Sequence, residues 1–198
     1  MEFGALKKIT ATAANDIARQ AKLSAAAETL PACAATPAVY LGALVEAGLA
    51  ADAVRFLAFA LPRREAVWWA CLAARDLRAV DNRPEIVDCL AATEAWVYRP
   101  DEEKRRQTLP LAEAVGFETP AGCAALAAYW SGGSIAPPDL PAVPPDPALT
   151  PTMASAAVLL AAALPDPLEA PAKQRLAVAR AVDIANGGNG RLPLGAQP

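Results

Sequence analysis

Apolar residues recur along this chain every three to four positions, in stretches of roughly ten to fifteen residues that each end at a helix stop, a pattern that predicts short α-helices. Ala14, Ile17, Ala18 and Ala21 mark one face of a first helix over residues 12–22, and Ser24 caps a short successor ending near Leu30. Thr36-Pro37 supplies an N-cap and a first-turn proline to a third helix, with Leu41, Leu44 and Val45 inward and Gly48 as its stop. Residues 50–61 follow with Val54, Leu57, Ala58 and Leu61 inward, until Pro62 breaks the run. Residues 63–78, RREAVWWACLAARDLR, carry Ala66, Trp69, Ala70, Ala73 and Leu77 on one face and Trp68 and Leu72 on another. A helix apolar around more than half its circumference belongs at the centre, packed on two sides. Residues 84–98 repeat the pattern with Ile86, Cys89, Leu90, Thr93 and Val97 inward and Trp96 beside them. Residues 101–116 form a helix bent by Pro110, and Thr119-Pro120 opens one with Cys123, Leu126, Ala127 and Trp130 inward.

Residues 131–151, SGGSIAPPDLPAVPPDPALTP, break this rhythm with seven prolines and predict an extended connector of about twenty residues. Ile135, Leu140 and Val143 are spaced so that the segment can lie along a groove of the helical body as its anchors; the alternative is that the same segment is the partner-binding element. Two helices follow, over residues 152–164 and 168–185, and the glycine-rich end reads as a flexible tail. The expected organisation is a helical body over 1–130, the connector over 131–150, a C-terminal helical pair over 151–186 packing on the body, and the tail over 187–198. The fold class is all-α, an irregular stack of short antiparallel helices, since no fixed repeat period appears.

Composition supports that class: about a quarter of the 198 residues are Ala, and 6% are aromatic. The chain has no His, which removes the usual Ser/His and Cys/His nucleophile pairs and His-ligated metal sites. A net charge of −3 with dispersed Lys and Arg gives no footprint for nucleic acid. The longest strongly apolar run, residues 153–164, is too short for a membrane span, and no Sec-type signal is read at the N-terminus. Cys33, Cys71, Cys89 and Cys123 lie far apart among Ala and Leu, which predicts free buried thiols in a reducing cytoplasm.

The remaining polar clusters have structural readings. Lys104, Arg105 and Arg106 follow Asp101, Glu102 and Glu103, so Asp101 with Arg105 and Glu102 with Arg106 make a solvated, self-neutralised helix face. SGGS at 131–134 and NGGNG at 186–190 lack the strand and Lys of a phosphate loop. Asp76 with Asp81, or Glu94 with Asp101, form carboxylate pairs on paper, with no spacing that singles either out. No catalytic, cofactor or metal residue is assigned. Candidate partner-binding residues are Arg63, Arg64, Trp68, Trp96, Ile135, Leu140 and Val143.

Two stretches, RFLAFALPRREAVWWACLAAR at 55–75 and YWSGGSIAPPDLPAVPP at 129–145, resemble a bacterial family of small all-helical proteins associated with type VI secretion gene clusters. The helix pattern over residues 36–150 also fits; the first 30 residues and the last 45 do not visibly match. The resemblance implies a context and no chemistry: a cytoplasmic accessory of a contractile secretion machine, an adaptor or chaperone for a secreted component. The expected function is a non-enzymatic protein-interaction module whose partner is a spike or effector component, with no cofactor, nucleic acid or membrane involved. An immunity-type protein that neutralises a toxin, which would favour a clustered acidic face, is the alternative. An Asp/Glu-based enzyme on a helical scaffold comes third.

Overall fold

Ten α-helices and no strand occur among the described residues of the computed structural model, 3–32, 35–79, 81–137 and 139–192. In order they are α1 (Ala14–Ala21), α2 (Ala25–Glu28), α3 (Pro37–Glu46), α4 (Ala50–Ala60), α5 (Arg63–Arg75), α6 (Pro84–Tyr98), α7 (Glu102–Val115), α8 (Pro120–Tyr129), α9 (Leu149–Ala163) and α10 (Ala170–Ala185), with 3₁₀ turns at Asp76–Ala79 and Pro167–Glu169. The all-α expectation therefore holds.

Capping chemistry sets most of the boundaries. The side-chain oxygens of Ser24, Thr36, Asp101 and Thr119 accept from the backbone N–H of Ala27, Val39, Lys104 and Gly122, which satisfies donors that the helix cannot. Proline occupies the first turn of α3, α6 and α8, where a missing N–H is harmless. The same tolerance lets α9 begin at Leu149, ahead of the expected Thr152, with Pro151 inside its first turn.

As expected from its two apolar faces, α5 is central and packs against α6, α8, α9 and α10. Trp69 is fully buried and its Nε1 donates to the carbonyl of Ala177 at 2.9 Å, which ties α5 to α10. Every residue of α8 is buried, an arrangement that its small Gly and Ala side chains allow because they let neighbouring helices approach closely. The main core runs from Tyr40, Phe56 and Leu57 through Trp69 to Val158, Val178 and Ile184, and a smaller cluster forms around Ile86, Leu90, Val115 and Leu126. The C-terminal pair α9 and α10 packs on α4, α5 and α8 and contributes Val158, Val178 and Ile184 to the main core. No single helix among the described residues is long and apolar enough to cross a membrane, and the apolar pair α9 and α10 is bent by 116°.

Residues 187–192 do not behave as a free tail. Gly190 is buried with φ of +71°, a conformation that strains any other residue, and a Cβ there would stand 2.8 Å from both Leu72 and Ile184. Its N–H donates to Asp183 Oδ2 at 2.8 Å, and Trp68 Nε1 donates to the Asn189 carbonyl at 2.8 Å. Residues 193–198 lie outside the described residues, as does Cys33.

Candidate functional site

Two surfaces collect the sequence-selected residues. The first is the Pro-rich strap, residues 131–147, whose opening stretch, residues 131–136, is held down by arginines. Arg105 on α7 is only 3% exposed and donates to the Tyr129 carbonyl, to the Ser134 carbonyl at 2.8 Å, and through Nε and Nη2 to the two Glu102 oxygens at 2.7 Å each. Its guanidinium also lies 5.0 Å from the Tyr129 ring centroid. Arg106 donates to Ser134 and Ala136 carbonyls at 3.1 and 2.9 Å, and Arg63 Nη1 reaches the Ser131 carbonyl at 2.6 Å. Within the strap, Ile135 N–H donates to the Val143 carbonyl at 2.9 Å and Ser134 Oγ accepts from Val143 N–H at 2.9 Å.

This arrangement corrects two expectations. Arg105 is not part of a solvated face: along α7 it follows the buried register of Thr108, Ala112 and Val115. Its acidic partner is Glu102 three residues earlier, while Asp101 pairs with Lys104. The strap's anchors are also not Ile135, Leu140 and Val143, which are 40%, 56% and 46% exposed. A proline-rich segment is poor in N–H donors and rich in carbonyls, so arginine donors hold it better than an apolar groove would. Gly133 makes room for this clamp: its φ is +65°, and a Cβ would lie 2.6 Å from Glu102 Oε2 and 2.9 Å from the Arg105 guanidinium.

The second surface is a cleft of about 420 Å³ between the start of α5, the end of α6 and the loop after α10. Trp68 and Tyr98 form its aromatic wall, ring centroids 5.7 Å apart and planes at 54°, and Arg191 stands 5.3 Å from the Trp68 ring. Lys8 and Arg64 flank Glu65 at 3.3 and 3.8 Å. Lys8 is placed by its backbone N–H, which donates to the Ala185 carbonyl at 2.8 Å.

Arg63, Ile135, Leu140 and Val143 thus belong to the strap, and Arg64 and Trp68 to the cleft. Trp96 belongs to neither, because it is buried in the main core at 6% exposure, which removes it from the partner-binding set. Trp130, expected inward, is half-buried at the C-cap of α8. Sequence reasoning missed Arg105, Tyr98, Lys8 and Arg191. The helical register shared with Thr108, Ala112 and Val115 was a usable signal for Arg105; Lys8 and Arg191 arrive on loops and carry none.

The carboxylates considered for acid–base chemistry are each paired with a cation. Asp76 meets Arg180 at 2.5 Å, Asp81 meets Arg83 at 2.8 Å, Glu94 meets Arg75 and Asp101 meets Lys104. Hydrogen bonds from Arg83, Lys104 and Arg105 hold the carboxyls of Asp81, Asp101 and Glu102 below their ordinary range. Burial pushes the thiols of Cys89 and Cys123 up to about 11 and that of Cys71 well above its usual value. Among the described residues no group of three or more Cys, Asp or Glu is placed to hold a metal.

What fold and surfaces define is an all-α protein with an arginine-clamped strap on one surface and an aromatic, cation-rich cleft on another. The chain belongs to the family of unknown function DUF6931, whose model matches residues 40–185. The strap and its clamp lie inside that match, whereas Lys8 and Arg191 of the cleft lie outside it. Neither a curated protein nor a solved structure matches the chain.

Proposed function

We propose that this protein is a non-enzymatic interaction module of the cytoplasm, an adaptor or chaperone for a secreted spike or effector component of a type VI secretion machine. The observation that carries the reading is the strap: its backbone over residues 131–136 is fixed by Arg63, Arg105, Arg106 and the Tyr129 hydroxyl, and Val143 is tied back to Ser134 and Ile135, yet Ile135, Leu140 and Val143 are exposed. A segment ordered before it meets its partner loses little entropy on binding, and exposed apolar side chains on a fixed backbone suit recognition. The pairing of Asp76, Asp81, Glu94 and Asp101 with cations supports a non-enzymatic reading. The secretion context is supported by the resemblance of residues 55–75 and 129–145, which include most of the strap.

The test is co-expression with type VI spike and effector components, followed by size-exclusion chromatography. The expected result is a complex that the combined changes Ile135→Ser, Leu140→Ser and Val143→Ser dissolve, while the melting temperature of the free protein is kept because these side chains are exposed. A complex that survives those changes, or neutralisation of an adjacent toxin in place of secretion support, would overturn the reading.

A further inference from the structure

The cleft beside Trp68 has a charge and shape that the strap does not account for. Lys8, Arg64 and Arg191 share one carboxylate, Glu65, among the described residues that line it, an excess of two positive charges over a space of about 420 Å³. Lys8 pairs with Glu65 at 3.3 Å, and the internal partners of the two arginines are weak. Arg64 reaches only its neighbour Glu65 at 3.8 Å, and Arg191 donates to the Tyr98 hydroxyl at 3.4 Å while its guanidinium covers the Trp68 ring. The floor is apolar, built by Val97 and Ile184. Around it the loop is fixed: Gly190 is wedged between Leu72 and Ile184, and the Trp68 indole N–H is already committed to Asn189. Cations held over an aromatic and apolar floor, with the polar edge of the indole used up, favour a ligand that brings both a planar ring and negative charge.

We propose that this cleft binds a phosphate monoester carried on a planar ring, of the size of a nucleoside 5′-monophosphate. Such a phosphate carries a charge of about −1.5 to −2 at neutral pH, which matches the excess of the cleft. Arg64 and Lys8 would meet its oxygens, since a guanidinium can take two phosphate oxygens at once. Arg191, sandwiched on Trp68, would offer its outer face to the ring. The volume of about 420 Å³ lies within the range of about 300–1,000 Å³ that small-molecule sites occupy. This inference stands apart from the strap and survives if the strap has no partner.

Isothermal titration of the full chain with adenosine 5′-monophosphate, adenosine, inorganic phosphate and an acidic hexapeptide tests it. The monophosphate is expected to bind with one-to-one stoichiometry, at least about tenfold tighter than any of the other three, because ring and phosphate contacts are both required. Arg64→Gln and Arg191→Gln should each weaken it about tenfold, the loss of one charge-assisted contact, while Glu65→Gln should tighten it and Arg19→Gln on α1 should leave it unchanged. Both arginines are at the surface, and a melting curve of each variant separates loss of binding from loss of fold. A shift of the Trp68 indole N–H resonance on adding the monophosphate is the second readout. Absence of binding, equal binding of phosphate or adenosine alone, tighter binding of the peptide, or a Glu65→Gln variant that binds more weakly would each overturn the assignment.

Discussion

Replacing Arg105 by Met tests the strap clamp most directly, because Met keeps the apolar stem and removes the fork. The guanidinium serves the buried Tyr129 carbonyl, the Ser134 carbonyl and both Glu102 oxygens. A carbonyl stripped of its donor costs about 1–2 kcal/mol where water cannot replace it. The Glu102 pair adds little, about 0.5 kcal/mol, because the Glu102 side chain is half exposed and the attraction is screened. Together these losses come to about 3 kcal/mol, and a chain of this length loses about 2–4 °C of melting temperature per kcal/mol, so the expected fall is about 6–12 °C. If the strap lifts away instead, water hydrates the freed carbonyls and the melting temperature falls less, but residues 131–147 become sensitive to protease. Thermal melting by circular dichroism and limited proteolysis, read side by side, cover both outcomes. Gly133→Ala should move both readouts in the same direction, since its Cβ would press into the same Glu102–Arg105 pair. A melting temperature within about 1 °C of the parent, with an unchanged digestion pattern, would refute the reasoning, because no buried bond of the assigned size could then have been removed.

Cys71, Cys89 and Cys123 should react with thiol reagents only on unfolding, since burial raises each thiol and leaves almost no thiolate at pH 8; fast labelling of these positions in a Cys33→Ser background would contradict their placement. The small carboxylate contribution to the clamp should also be lost in acid. Lys104 and Arg105 hold the carboxyls of Asp101 and Glu102 below their unfolded values, so the stabilisation they give is fully present above the ordinary carboxylate range of about 4 and disappears as pH falls through the folded values. Hydrogen exchange of the strap amides should therefore be flat between about pH 5 and 7 once corrected for intrinsic rates, and accelerate below about pH 4; a loss of protection already at pH 6 would contradict this assignment.

Helix boundaries were legible because the signals that set them are local. Thr36-Pro37, Thr119-Pro120 and Pro62 act within one turn of themselves, and each marks a helix start in the structure. The central position of α5 was legible for a related reason: an apolar surface wider than one face has to be covered from two sides. The loop after α10 was not, because NGGNG is also the composition of a mobile tail. What orders it is the Asp183 carboxylate and the Trp68 indole, and the indole lies 121 residues earlier in sequence. The cleft was illegible for the same reason, being assembled from Lys8, Arg64, Trp68, Tyr98 and Arg191, which no spacing rule brings together.

The strap was half legible, and the part that was misread follows from one physical fact. The six prolines of residues 131–147 stiffen the strap, and stiffness lowers the cost of laying a segment down. Proline also lacks an N–H, so the segment can satisfy few of its own carbonyls, those of Pro137 and Val143 being met from within, and apolar side chains do nothing for the others. What a proline-rich strap needs from the body is donors. Arg63 from α5 and Arg105 and Arg106 from α7 supply five hydrogen bonds to the carbonyls of residues 129–136. The apolar residues are thereby released from the anchoring role, and Ile135, Leu140 and Val143 stay at the surface. Two adjacent arginines on a helix that precedes a proline-rich segment can therefore be read as its clamp when one of them falls on the buried register of that helix, as Arg105 does with Thr108, Ala112 and Val115.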